Sequence, residues 1–218
     1  METRKRKIEA LVETLPPVMG PVFGKDACVL AARVGMQLLH EVGVEASPLP
    51  VRCAIYNRAM AERIGNDVGR LFEPWPEDEE LAAKNEGCWS VMIGWVEPGD
   101  PRAGQRFIGH VVLTTRNPDG IIDLTLDQAA RPDRDIHVEP AFLPLDRQGL
   151  RALRAGEAAA AYHEQDQDTR IVYAYAPDLE QRLREAPDWS GRGFNQLVRE
   201  RTISECRTSF RQKVGLAR

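Results

Sequence analysis

No run in this chain of 218 residues approaches the ~20 consecutive apolar residues that a membrane-spanning helix needs. The basic opening Met1-Glu2-Thr3-Arg4-Lys5-Arg6-Lys7 is not followed by an apolar signal region, so the chain reads as cytoplasmic. Cysteine is sparse, and Cys28, Cys53, Cys88 and Cys206 form neither a Cys-x-x-Cys pair nor a Cys/His cluster at zinc spacing. No metal or cofactor signature is left, and four free thiols are expected rather than two disulfides. Charge of one sign is not in excess: 29 basic against 33 acidic residues give a formal charge of -4. That balance points away from a general polyanion binder, nucleic acid included. Internal repeats and low-complexity tracts are missing as well. The remainder is a chain long enough for one well-buried domain, with the 43% hydrophobic and 28% charged content of an ordinary globular protein.

The stretch that organises the chain runs from Gly24 to Leu39. A loop closes on Gly24, Asp26 is a plausible N-cap, and an almost wholly apolar helix follows. A helix that is apolar nearly all round is buried. Cys28 falls in its first turn, where unpaired backbone N–H groups and the helix dipole favour a thiolate. The plainer interpretation is a small buried cysteine.

Around it the spacing predicts a short amphipathic helix from Thr3 to about Leu15, stopped by Pro16-Pro17. The Cys28 helix ends near Gly43, and Glu45 to Pro50 connects it to a strand, Val51 to Tyr56. Ala59 to Ile64 could be a helical turn. The acidic stretch Glu73 to Glu80 reads as a solvated loop with a short helix, or as a flap carrying Trp75 over a site. Strands follow at Trp89–Val96, Gln105–Thr115 and Ile121–Thr125, the last two joined by the turn signal Asn117-Pro118-Asp119-Gly120. Leu145–Ala155 looks helical, Ala158–Gln165 and Arg170–Ala176 look like an antiparallel pair, and Leu179–Glu185 is a helix. A last helix spans Phe194–Val214, with Leu197, Val198, Ile203, Cys206, Phe210 and Val214 as its apolar face. A buried helix, then antiparallel strands, then helices packed behind them is an α+β order.

A cysteine nucleophile needs a base, a group to orient that base, and donors for the oxyanion. Cys28, His110 and Asp123 supply the nucleophile, the base and the orienting group, and strand parity lets His110 and Asp123 share a face. Register decides whether they meet. A four-residue loop Asn117–Gly120 puts Asp127 opposite His110, with Asp123 roughly 13 Å along the strand. Sliding the loop to Arg116–Asp119 puts Val112 opposite Asp123 and makes His110 its diagonal neighbour. Asp127 competes with Asp123 on this ground. Cys53, Cys88 and Cys206 read as packing, and His40, His137 and His163 stand alone. The basic residues of the last helix read as a solvated face.

The block Gly109-His110-Val111-Val112, followed by Gly120 to Gln128, resembles the His and Asp motifs of transglutaminase-like cysteine proteins. That superfamily is related to papain-like peptidases and arylamine N-acetyltransferases. Its Cys opens a buried helix, and His and Asp follow on adjacent strands, which is the order of Cys28, His110 and Asp123. Bacterial and phage-type members show a pattern close to His…Ile-Ile-Asp-x-Thr-x-x-Gln, met here by His110, Ile121, Ile122, Asp123, Thr125 and Gln128. The family's tryptophan beside its Cys, or two residues after its His, is replaced by Ala27, Val29 and Val112. The likeness spans about Lys25 to Pro132.

The resemblance implies a transglutaminase-like core over residues 1–145, with the Cys-bearing helix packed on an antiparallel sheet. Residues 146–218 would form a C-terminal α/β extension packed on the same domain. It implies thiol-dependent acyl chemistry without a cofactor, on a protein, peptide or small amide. Cys28 would be the nucleophile, His110 the acid and base, and Asp123 the orienting carboxylate. The Cys28 backbone N–H is one oxyanion donor; Asn57 and Gln128 are side-chain candidates for a second, and Trp75 a candidate at the substrate. The alternative is a non-catalytic binding or scaffold protein on the same fold.

Overall fold

The computed structural model describes residues 2–23, 27–94, 107, 109–162, 168–186, 189 and 196–216. The expected cap at Asp26, the strand ends at 95–96 and 105–106, the tail of the pair at 163–165 and the helix start at Phe194 lie outside them. So do Gly24 and His163. The described elements begin with helices α1 (Glu2–Phe23) and α2 (Cys28–Glu41), followed by β1 (Ala46–Asn57). Next come α3 (Arg58–Ile64), α4 (Glu77–Asn85), β2 (Ser90–Ile93), β3 (His110–Arg116) and β4 (Asp119–Asp123). The chain closes with β5 (Ala141–Pro144), α5 (Arg147–Arg154), β6 (Ala158–Tyr162), β7 (Thr169–Tyr175), α6 (Glu180–Glu185) and α7 (Gln196–Lys213).

The class is α+β. Seven strands form one antiparallel sheet in the order β5-β4-β3-β1-β7-β6, with β2 also paired to β1. Edge strands β5 and β6 approach each other, so the sheet curls. The interior of the curl is filled by alternating residues such as Val51, Cys53, Ile55, Val112, Ile121, Ile171 and Tyr173. The opposite face, through Val111, Leu113 and Ile122, packs on α2, α1 and α7. A third cluster under α3 and α4 uses Ala54, Tyr56, Met60 and Leu71. Residues beyond 146 thus contribute β6 and β7 to the same sheet, β7 lying directly beside β1.

Three sequence expectations are corrected here. Pro16 and Pro17 do not stop α1, which runs on to Phe23 with Pro16, Pro17 and Pro21 inside it. Each proline forfeits a backbone hydrogen bond and costs about 3 kcal/mol in a helix interior. Ile8, Leu11, Leu15 and Met19 form one buried stripe that continues past them, and burying the last two offsets part of that cost at about 1.5–3 kcal/mol each. Residues 46–50 are not a connection but the first half of β1, paired with Leu113–Thr115 and neighbours in β3. Pro48 and Pro50 are tolerated because the β7 ladder joins β1 only from Val51 onward; on that side the Pro50 carbonyl accepts the Ala176 N–H, which needs no proline donor. On α7 the buried stripe is Arg199, Thr202, Cys206 and Phe210, while Leu197 is 76% exposed and Val198 41%. Spacing by three and four residues from Cys206 selects these positions.

The helix that carries Cys28 sits where expected. Nine of its 14 residues are buried, and Gly43 beyond its end has φ +73, the left-handed stop that glycine provides. Gly35 sets how near α2 comes to the sheet: a Cβ there would lie 2.7 Å from Leu124 Cδ1 and 3.2 Å from Leu113 Cδ1. The 3₁₀ turns at Leu126–Ala129 and Pro132–Arg134, and strand β5, were not anticipated. These pieces are too short for periodicity to register.

Candidate active site

α2 begins at Cys28, and its N-cap position is Ala27, which makes no side-chain capping bond. The first-turn N–H groups, Cys28's included, have no intrahelical acceptor by geometry. The Cys28 sulfur faces the start of β3, donating to the Gly109 carbonyl at 3.7 Å. His110, the next residue, is the first of β3 and pairs with Val51 of β1. The end of β2 closes against it: Gly94 has φ +77, and a Cβ there would sit 2.9 Å from both His110 N and Val51 O. Only glycine fits that passage.

The β3–β4 loop settles the register. It consists of Asn117 and Pro118, joined by a cis peptide bond, with Arg116 opposite Asp119 and Leu113 opposite Ile122. One step further places Val112 beside Asp123 and His110 diagonal to it. His110 Nε2 donates to Asp123 Oδ2 at 2.7 Å, both side chains being fully buried. Asp123 therefore holds His110, and Asp127 lies in the 3₁₀ turn beyond. The other carboxylate oxygen, Oδ1, accepts the Thr125 backbone N–H at 3.1 Å.

A fourth group was missed from the sequence. The Tyr173 hydroxyl, from β7, donates to Asp123 Oδ2 at 3.0 Å and is completely buried. Cys53 stands opposite Tyr173 in the β1–β7 ladder, and the two side chains act on each other electrostatically. Nothing local marks Tyr173, since it is 50 residues from Asp123. Its parity with Ile171 on a buried strand was the one available hint.

The electrostatics follow from this packing. Burial by itself pushes the His110 imidazole down, but the Asp123 charge and hydrogen bond, and then Cys28, raise it from 6.5 to about 10. The ring is therefore a cation at neutral pH. Its Nδ1 edge makes no hydrogen bond of ordinary geometry among the described residues, and Cys28 is the second polar side chain acting on the ring. Tyr173 is pushed well above its usual range by burial, then by the Asp123 charge, so it stays a phenol and a donor. Cys53 is raised strongly by burial and by Asp123, Cys88 is raised by burial and Glu86, and Cys206 is pushed up to about 11 by burial and Glu205. Among the described residues the one cation that acts on any of the three is Arg63, whose charge lowers Cys88 less than burial and Glu86 raise it.

The remaining sequence candidates separate. Asn57 is a structural residue: its Oδ1 accepts Met60 N as the cap of α3 and also Trp89 N, and its Nδ2 donates to Gly87 O. It stands six residues along β1 from Val51, roughly 20 Å away, so it is not an oxyanion donor. Trp75 is not over the triad either. Its indole N–H donates to Arg70 O at 2.8 Å, and its ring packs under the Arg63 and Arg70 guanidinium groups at 5.7 and 5.2 Å. Cation–π contact holds it in place. Gln128 remains on the turn after Asp123, with its backbone N–H on Thr125 O. Gln128 Nε2 and Thr125 Oγ1 are buried and unpartnered among the described residues, which leaves both able to meet a ligand. Among those residues no three potential ligands gather as for a metal ion, and no helix is long and apolar enough to cross a membrane.

No family model, no curated protein and no solved structure matches this chain.

Proposed function

We propose that the protein performs thiol-dependent acyl chemistry at Cys28, on a transglutaminase-like frame. The observation that carries this reading is the His110 ring, hydrogen-bonded to a buried Asp123 carboxylate and facing Cys28 at a helix start. In the first half-reaction the Cys28 sulfur forms a bond to the acyl carbon of an amide, and the carbonyl electrons move onto oxygen. The Cys28 N–H, uncapped at the α2 start, is the donor nearest that oxyanion. His110 delivers its proton to the leaving nitrogen as the C–N bond breaks. The acyl-enzyme is then released by water or an amine, whose proton returns to His110 as the C–S bond breaks. Asp123 and Tyr173 touch no substrate; they hold the ring in the tautomer and orientation that these transfers need.

A second reading, a binding or scaffold protein on the same frame, draws on burial: Cys28 is only 5% exposed. Labelling with iodoacetamide at mildly acidic pH, mapped to residues, separates the two. On the catalytic reading Cys28 is labelled selectively, Cys28→Ala abolishes the label, His110→Gln suppresses it, and Cys53→Ala leaves it intact. Labelling that persists in Cys28→Ala, or that is indifferent to His110→Gln, overturns the catalytic reading.

A further inference from the structure

The far end of the β3–β4 hairpin carries a second polar feature, of opposite character to the buried triad. A cavity of about 420 Å³ opens there, lined by Arg116, Asp119, Arg147, Leu150, Arg151 and Arg154. Arg116 ends β3 and lies opposite Asp119 across the hairpin. The other three arginines and Leu150 are spaced by three and four residues, so they share one face of α5. Leu150 is buried and forms an apolar floor between them.

Four guanidinium groups thus face one carboxylate. Asp119 is already engaged by Arg147, Nε to Oδ2 at 3.5 Å. The next nearest acid in sequence, Asp146, accepts Gly149 N as the cap of α5. Arg154 is held in place by its bond to Thr114 Oγ1 at 2.8 Å. The Arg116 and Arg151 guanidinium groups have no ion-pair or hydrogen-bond partner among the described residues. Three uncompensated positive charges around a small concavity repel one another, in a chain whose formal charge is -4. An anion with several oxygens would remove that repulsion.

We propose that this cleft binds a small molecule bearing adjacent phosphate groups, a di- or triphosphate. Guanidinium forks match phosphate oxygens two at a time, and several forks converging on one spot favour more than one phosphate. The cavity is within the ~300–1,000 Å³ of small-molecule sites, and the Leu150 floor accepts an apolar portion of the ligand. An acidic peptide would need an extended basic track instead, and the cleft is local to one helix face and one hairpin end. The proposal is independent of the chemistry assigned to Cys28.

Calorimetric titration of the full chain with inorganic tripolyphosphate, and in a second arm with a nucleoside triphosphate, tests it. Saturable one-to-one binding is expected in at least one arm, at least about ten-fold tighter than for inorganic phosphate. A stronger nucleoside arm identifies a nucleotide as the source; equal arms identify the phosphate chain alone. The double variant Arg116→Gln/Arg151→Gln, both exposed positions, should weaken binding by about ten-fold or more. Arg4→Gln/Arg134→Gln removes the same charge from exposed positions elsewhere and should leave affinity within about two-fold. Unchanged thermal melts certify that both variants fold. Absence of saturable binding in both arms, equal losses in the two double variants, or equally tight binding of a glutamate peptide overturns the proposal.

Discussion

Cys28 and Cys53 lie on either side of one buried polar chain. The His110 ring lies beside Cys28, Asp123 bonds the ring and Tyr173, and Tyr173 stands opposite Cys53 across the β1–β7 ladder. Both thiols are almost fully enclosed, at 5% and 0% exposure. Their neighbours differ. Cys28 opens a helix and stands beside a cationic imidazole, whereas Cys53 lies in the middle of β1, between β2 and β7, against a neutral phenol and near a carboxylate. Burial and the Asp123 charge push Cys53 up. Two thiols of nearly equal burial thus differ in the charge that lies next to them, and on the catalytic reading that difference separates the nucleophile from the packing residue.

The sharpest way to break the asymmetry is to neutralise the shared carboxylate. Asp123→Asn removes the anion that keeps His110 charged, so labelling of Cys28 at mildly acidic pH should slow by about a hundredfold. The same variant should lose on the order of 3 kcal/mol in urea denaturation, because the buried ion pair is broken and His110 stays in the core only by giving up its proton. No change in either measurement would mean the His110–Asp123 bond does not organise this end of the chain.

A second prediction uses pH. Because the folded-state pKa of His110 is raised from 6.5 to about 10, its contribution to stability is complete below about pH 6.5 and is lost as pH climbs through about 10. Urea midpoints should therefore fall across that window, and His110→Gln should flatten the fall. A wild-type profile indistinguishable from that of the variant would contradict the charged ring.

The smallest effect is expected from the Cys53 side. Tyr173→Phe removes one hydrogen bond to a charged group, costing about 1.5–3 kcal/mol by urea denaturation. Labelling of Cys28 should slow only a few-fold, since the Asp123 contacts with His110 and Thr125 remain. A loss as large as that of Asp123→Asn would make Tyr173 an equal partner of the carboxylate.

Much of this asymmetry was legible in order along the chain. The apolar run after Asp26 announced a buried helix, and the alternation on both sides of Asn117-Pro118 announced a hairpin with His110 and Asp123 on one face. The choice between Asp123 and Asp127 was not legible, because one turn signal allows loops of different length and each shifts the partner of His110. The N-cap shows the same limit: Asp26 has the right chemistry, yet the capping position falls at Ala27. Asn57 and Trp75 had suitable side chains, but one caps α3 and the other packs between two arginines.

Periodicity and side-chain chemistry alone determined that Cys28 opens a core helix, that His110 and Asp123 sit on paired strands, and that the class is α+β. These are local properties, set within a few turns or one hairpin by where the apolar residues recur. The tertiary structure alone decided the two-residue loop that brings Asp123 to His110, the continuation of α1 through its prolines, and the arrival of Tyr173 from β7. It also decided the gathering of four arginines at the hairpin's other end. Apart from the hairpin loop, which several turn lengths could have closed, these depend on chain segments tens of residues apart, and such closure is chosen by total burial and hydrogen-bond satisfaction rather than by any local signal.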